Sequence, residues 1–267
     1  GPGQFIQPHD VAVDEEGFVY VVDRGNHRIQ KFDPLGNYVS EWGGFGEGEG
    51  QFDSPTFIVV DEGYLYVADT GNARVKQYDY SGDLLMIWDG TGTPAGPLSN
   101  PQGIGIDPDN NFYVADSGNH RIIKVTRTGV FLWVHGELGE GEGQLNSPTS
   151  LTIDHDALLY ITDSGNRRVV KWYFEGNELA AWPAPIGSDV PFVAPHDINL
   201  NWEKTALVAT ESVNSILTRL TIEGQYLGII RSALAAEGRL SDPRGVATGP
   251  DDSIIVADAG NSRMPLF

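Results

Sequence analysis

The pattern Asp-x-Gly-Asn-x-Arg occurs five times in this chain of 267 residues, beginning at Asp23, Asp69, Asp116, Asp163 and Asp258. Each copy follows a short run of β-branched and aromatic residues, which is typical of a strand. The aspartate can accept hydrogen bonds from backbone N–H groups two residues on, and glycine and asparagine tolerate positive φ angles. Because an apolar run also follows the arginine, each copy predicts a β-hairpin that is closed by this turn.

Prolines set the period of the repeat. They recur every 46 to 48 residues, at Pro8, Pro55, Pro101, Pro148, Pro195 and Pro243. Each proline opens a short apolar run, and a glycine turn after each hairpin leads to a further run, so one unit holds four short strands. A repeat of this length with four strands is typical of a propeller blade. We therefore predict six blades, at about residues 8–43, 55–90, 101–135, 148–182, 195–231 and 243–267.

In turn motif and period, these units resemble NHL repeats, and the resemblance extends over essentially the whole chain. It implies an all-β, six-bladed β-propeller of four-stranded antiparallel blades, with residues 1–267 as a single domain. The last unit ends at Phe267 after its third strand, so we predict an incomplete sixth blade. Its free edge would be open to an additional strand from another segment, and residues 3–6 are the candidates for such pairing within the chain.

The charge of the chain restricts its partners. The formal net charge is −20, from 37 acidic and 17 basic residues. A surface of this kind repels phosphates and anionic lipids, so we expect no nucleic-acid partner. No run of about 18 apolar residues is present, so we expect no membrane insertion. The absence of cysteine favours a prokaryotic or an exported protein, and we predict an extracellular or cell-surface location, with a cytoplasmic one left open.

The first strand of each blade should line the central channel, so the residues that follow each proline should surround one channel mouth. We predict a ligand- or partner-binding site there, built from exposed side chains of the first strands and of one hairpin turn: His9, Asp10, Arg24, Gln102, His196, Asp197 and Arg244. A rigid acidic propeller of this kind suits a protein or peptide partner.

The tripeptide Pro-His-Asp occurs twice, at residues 8–10 and 195–197. It suggests a divalent metal, zinc or calcium, with His9 and His196 as ligands. A partial resemblance to the peptidyl-hydroxyglycine α-amidating lyases, which are six-bladed propellers with a channel zinc, rests on the same two histidines. Gln102 stands where that resemblance requires a third histidine, and Arg244 would oppose a bound cation. The other interpretation is that each histidine hydrogen-bonds to a neighbouring blade.

Repetition of the Asp and Arg pairs in nearly every blade indicates a structural role, because a single active site needs only one copy. The pairs are Asp23 with Arg28, Asp69 with Arg74, Asp116 with Arg121, Asp163 with Arg168, and Asp258 with Arg263. Two linkers of sequence GEGEG offer Glu47, Glu49, Glu140 and Glu142 as calcium ligands, although glutamates in such loops are more often solvated. The fifth blade has lost the motif between Thr210 and Ser215, either by drift or because a partner docks there.

The chain carries no nucleophile motif and no phosphate-binding loop. The sequence therefore favours a non-catalytic interaction scaffold over an enzyme. A channel-metal enzyme similar to the amidating lyases is the alternative.

Overall fold

The computed structural model describes residues 1–173, 176–231, 238–249 and 253–267. Within them the chain forms an all-β propeller of four-stranded antiparallel blades, five of them complete and followed by a sixth, partial sheet. In every blade the strands are neighbours in chain order, so each blade is a simple meander. Among the described residues, no helix has the length and apolarity needed to cross a membrane.

The strands of the blades have the following bounds. The first blade holds β1 (Pro8–Val13), β2 (Val19–Asp23), β3 (Arg28–Phe32) and β4 (Tyr38–Gly43). The second holds β5 (Phe57–Asp61), β6 (Tyr64–Asp69), β7 (Arg74–Asp79) and β8 (Leu84–Trp88). The third holds β9 (Pro101–Ile106), β10 (Phe112–Asp116), β11 (Arg121–Val125) and β12 (Phe131–His135). The fourth holds β13 (Pro148–Ile153), β14 (Leu159–Asp163), β15 (Arg168–Trp172) and β16 (Glu178–Trp182). The fifth holds β17 (Pro195–Leu200), β18 (Ala206–Glu211), β19 (Ile216–Thr221) and β20 (Tyr226–Ile230), and the partial sheet holds β21 (Pro243–Thr248) and β22 (Ile254–Asp258).

Each Asp-x-Gly-Asn motif folds into one 3₁₀ turn between the second and third strands, at Arg24–Asn26, Thr70–Asn72, Ser117–Asn119, Ser164–Asn166 and Ala259–Asn261. The left-handed residue is the one after the asparagine, with φ between 51° and 57°, and not the glycine or asparagine that the sequence suggested. The glycine is needed for another reason. A Cβ on Gly25 would lie 2.6 Å from the carbonyl oxygen of Ile6, to which the Gly25 N–H donates a 2.8 Å hydrogen bond.

The inner strands form a closed ring. β1, β5, β9, β13, β17 and β21 pack in this order, and β21 packs against β1. Apolar clusters fill the spaces between blades; at the closure Val11, Val21 and Ala247 are buried, with Phe5 and Met264 packed against them. Apolar burial of this kind is the main favourable term in folding. The ring therefore closes by packing of the sixth sheet on the first blade.

The sixth sheet has a third, short segment. Residues 263–267 pair with β22, since Ile254 and Phe267 exchange backbone hydrogen bonds of 3.1 and 2.8 Å. Residues 250–252 of the last predicted blade lie outside the described residues. Residues 3–6 do not pair with this sheet: the N–H of Ile6 donates to Asp23 Oδ1 at 2.8 Å. The start of the chain thus contacts the first blade, where it takes the place that the inter-blade linkers take in the other blades.

The fifth blade keeps the hairpin geometry without the motif. Glu211 pairs with Ile216 in the register that Asp23 and Arg28 occupy in the first blade, so Glu211 replaces the aspartate and does not lie in the turn. Its Oε2 accepts the N–H groups of Val193 and Ala194 at 3.1 and 3.2 Å. Because Ile216 stands at the arginine position, this buried carboxyl lacks the ion pair of the other blades, and burial raises its pKa.

Candidate functional site

The repeated aspartates connect each hairpin to the linker that precedes its blade. In every copy, Oδ1 accepts a linker N–H at 2.7 to 2.8 Å, from Ile6, Asp53, Ser99, Asn146 or Ser241. In every copy, Oδ2 accepts the Nε–H of the motif arginine at 2.6 to 2.8 Å. All five aspartates are fully buried. The motif thus holds the linker as well as the hairpin in place. This supports a structural role, because buried polar groups need hydrogen-bond partners.

A cavity of about 230 Å³ opens at the channel mouth. Five of the seven residues predicted for this site line it: His9, Arg24, Gln102, His196 and Arg244. Five further polar residues line the cavity: Gln7, Thr56, Thr70, Asn100 and Asp242. Gln7, Asn100 and Asp242 each immediately precede one of the repeated prolines and have a left-handed φ of 49° to 51°, so the repeated position before proline was the signal that could have found these three.

His9 and His196 lie against each other, with ring centroids 4.9 Å apart in an edge-to-face arrangement. His9 Nδ1 is 2.8 Å from the carbonyl oxygen of Thr56, and His196 Nδ1 is 3.2 Å from that of Arg244. A carbonyl can only accept, so both Nδ1 atoms carry hydrogen and each links its blade to the next one.

Burial favours the neutral form of both imidazoles. Burial and the neighbouring His196 place the pKa of His9 well below its ordinary value. Burial, with the charge of Arg244, lowers the pKa of His196 to about 3. Since Nδ1 holds the proton in each ring, each Nε2 presents a lone pair, and neither has a hydrogen-bond partner among the described residues.

Arg24 occupies a turn position that carries a hydroxyl in the next three blades. There the hydroxyls of Thr70, Ser117 and Ser164 donate to the carbonyl of the proline that opens the following blade. Arg24 has no hydroxyl with which to make this contact. Its Nε is buried without a hydrogen-bond partner in the described part of the chain. Arg244, by contrast, pairs with Asp242 at 2.8 Å. Arg24 therefore brings an uncompensated positive group to the mouth.

Asp10 and Asp197 do not line the mouth cavity. Both are 2% exposed, not exposed as the sequence suggested, because each carboxylate accepts a backbone N–H from a neighbouring blade. Asp10 Oδ2 accepts from Ile58 at 2.8 Å, and Asp197 Oδ2 accepts from Val246 at 2.7 Å. Burial raises the pKa of both carboxyls, for Asp10 with a contribution from the charge of Asp197.

Comparison with known sequences identifies the repeat. The NHL repeat model matches residues 5–32, 98–124 and 240–264. Human NHL repeat-containing protein 3 is 49% identical over 43 residues, which are 16% of this chain and 12% of that protein. Mouse E3 ubiquitin-protein ligase TRIM71 is 50% identical over 38 residues, or 14% of this chain and 4% of that protein. This β-propeller carries NHL repeats. The matched segments span only a small part of the length of these relatives.

Solved structures show the same fold as this NHL propeller. A streptogramin B lyase structure superimposes with a TM-score of 0.69 at 16% identity, covering 100% of this chain and 96% of that one. A crystal structure of a nidogen/laminin complex gives a TM-score of 0.67 at 18% identity, covering 89% and 83%. At these identities the likeness concerns the fold alone.

His9 and His196, which the sequence suggested as metal ligands, lie together at the mouth of the propeller. No group of three or more His, Cys, Asp or Glu side chains in the described residues is placed to hold a metal ion. The first GEGEG linker turns backbone carbonyls toward the buried ammonium of Lys76, with Nζ 2.8 Å from the carbonyl oxygen of Glu49. An internal cation thus already occupies the concave side of that linker.

Proposed function

We propose that this NHL propeller is a non-catalytic interaction scaffold that binds its ligand or partner at the channel mouth. The observation that carries the proposal is Arg24, whose buried Nε has no partner in the described part of the chain, in a cavity with two neutral histidines. A buried donor without an acceptor costs free energy. Because Arg24 is partly exposed and lines the cavity, an anionic ligand there can pair with the accessible part of its guanidinium.

A protein or peptide partner and an extracellular or cell-surface setting belong to the same proposal. The fold of one structural neighbour occurs in a nidogen/laminin complex, which supports use of such a propeller in assembly. The net charge of −20 supports a partner other than nucleic acid. An additional strand from another segment could pair at the sixth sheet, where the N–H groups of Met264 and Leu266 have no backbone partner among the described residues.

The proposal is tested with two matched variants, Arg24→Gln at the mouth and Arg219→Gln on the exposed face of β19. The wild-type protein and the two variants are used in parallel as baits. The partners that each bait captures are quantified by cross-linking and mass spectrometry. Partners that Arg24→Gln loses and Arg219→Gln retains, with unchanged melting temperatures, are the expected result. Equal recovery by all three baits would show that the mouth is not the surface that binds a protein partner.

A channel-metal enzyme is a second candidate, and one observation favours it. Metal-ligating histidines usually donate their other ring N–H to a carbonyl or carboxylate, as Nδ1 of His9 and His196 does here. Two considerations make it the weaker candidate. Gln102 is a poor zinc ligand, and Arg24 and Arg244 line the same cavity, so a bound cation would meet like charge.

A further inference from the structure

We propose that the mouth recognises a hydroxylated carboxylate of sugar-acid type, either free or at the end of an acidic glycan. This inference rests on the proposed function of the mouth as a binding site and names its ligand class. Three properties of the cavity lead to it: an arginine that forms no ion pair among the described residues, two histidine acceptors, and a lining in which most side chains are polar.

The positive donor requires an anionic group. Arg24 is partly exposed and lines the cavity, and its planar guanidinium matches the geometry of a carboxylate. Arg244 is already paired with Asp242, so one full positive charge remains available. A single carboxylate balances that charge, whereas a phosphate dianion would bring excess negative charge next to Asp242.

The two histidines require donors. Each Nδ1–H is engaged by a backbone carbonyl, so each Nε2 can only accept a hydrogen bond. A second carboxylate or a phosphate would meet these lone pairs with its own. An ammonium group would satisfy them, but it would be repelled by Arg24. Hydroxyl groups donate without charge, so the geometry points to hydroxyls beside the carboxylate.

The lining distinguishes a sugar acid from a peptide. Ala259 is the one apolar residue among the eleven described residues that line the cavity, so an apolar peptide side chain would find less complementary surface there than a polar ligand. The amides of Gln7, Asn100 and Gln102 both donate and accept, as a ring of hydroxyls requires. The volume of about 230 Å³ equals roughly eight water molecules at ~30 Å³ each, which suits one sugar ring.

The test is a calorimetric and NMR titration of the full chain with D-galacturonate and D-glucuronate. D-Galactose lacks the carboxylate, cyclohexanecarboxylate lacks the hydroxyls, and N-acetylglycine stands for a peptide terminus. We expect saturable binding of a uronate, and at least about tenfold weaker binding of all three comparison compounds, because galactose loses the charge-assisted contact with Arg24 and the other two compounds lack the hydroxyl donors. Arg24→Gln should weaken uronate binding by a similar factor, and Arg219→Gln should leave it unchanged.

The two sources of the ligand are separated with trigalacturonate: tighter binding than the monomer indicates an acidic glycan, and equal binding a free sugar acid. Absence of uronate binding, equal binding of galactose, or tighter binding of N-acetylglycine would each overturn the assignment of ligand class. If uronates fail while the Arg24→Gln bait still loses a partner, the ligand class is wrong and the mouth remains the binding surface. If the baits also behave alike, the proposed function fails as well.

Discussion

The aspartate of the hairpin motif should carry much of the stability of each blade, and Asp163→Asn tests this in the fourth blade. The carboxylate is fully buried and accepts three hydrogen bonds of 2.7 Å, from the N–H of Asn146, the amide of Asn166 and Nε of Arg168. An asparagine keeps one oxygen, which can serve Asn146. Its amide group then faces the other two donors, so two hydrogen bonds are lost, and one of them is charge-assisted.

Breaking a buried ion pair in this way costs about 3–5 kcal/mol. For a chain of this size, each kcal/mol corresponds to roughly 2–4 °C in melting temperature. We therefore expect the melting temperature of Asp163→Asn to fall by roughly 6–20 °C, as measured by calorimetry, with a matching decrease in the urea midpoint. The control is Asp83→Asn, since Asp83 is exposed and surface substitutions usually stay within about 0.5 kcal/mol. A loss below about 1 kcal/mol for Asp163→Asn would refute the reasoning.

Three further predictions concern other parts of the propeller. Glu211→Gln should destabilise less than Asp163→Asn in the same melt, because burial raises the pKa of Glu211 and no arginine pairs with it; an equal loss would contradict this. Thr70→Val should cost about 1 kcal/mol in urea unfolding, because it removes the 2.7 Å hydrogen bond to the Pro101 carbonyl; Thr128→Val, on an exposed turn, is the control. Burial raises the pKa of Asp197 from 3.8 to about 6, so the folded state binds this proton more tightly than the unfolded state. The stability that the proton contributes is fully present below the unfolded value and is lost as the pH rises through about 6. Unfolding at several pH values should therefore show wild type gaining stability over Asp197→Asn as the pH falls from 7 to about 4, and a constant difference would contradict the assignment.

The fold was predictable because its information is local and repeated. The turn chemistry of Asp-x-Gly-Asn and the spacing of the prolines indicated hairpins, strands and the propeller. The ring closure was not predictable in the same way, since burial of Val11, Val21 and Ala247 against one another joins residues from opposite ends of the chain. The role of the motif glycine was also missed, because the close approach of Ile6 to Gly25 is a tertiary contact.

The position of the mouth was predictable from the sequence, but the hydrogen-bond partners of its side chains were not. The residues after each proline indicated His9 and His196 at one end of the channel, and the structure brings their rings to 4.9 Å. The sequence could not show that Nδ1 of each ring would be engaged by a backbone carbonyl. Nor could it show that the carboxylate of Asp10, the next residue after His9, would accept a hydrogen bond from the N–H of Ile58. The alternation of side chains along a strand does not determine which buried group a carboxylate will contact.

The most direct test of the central claim is the metal content of the chain, measured by plasma mass spectrometry on protein purified without chelators or metal-affinity resin. If the mouth is a non-catalytic binding site governed by Arg24 and two neutral histidines, zinc and calcium should stay well below one equivalent per chain. His9→Gln and His196→Gln should then leave these traces unchanged. One equivalent of zinc in the wild type that either substitution removes would contradict the account and establish the channel as a metal centre.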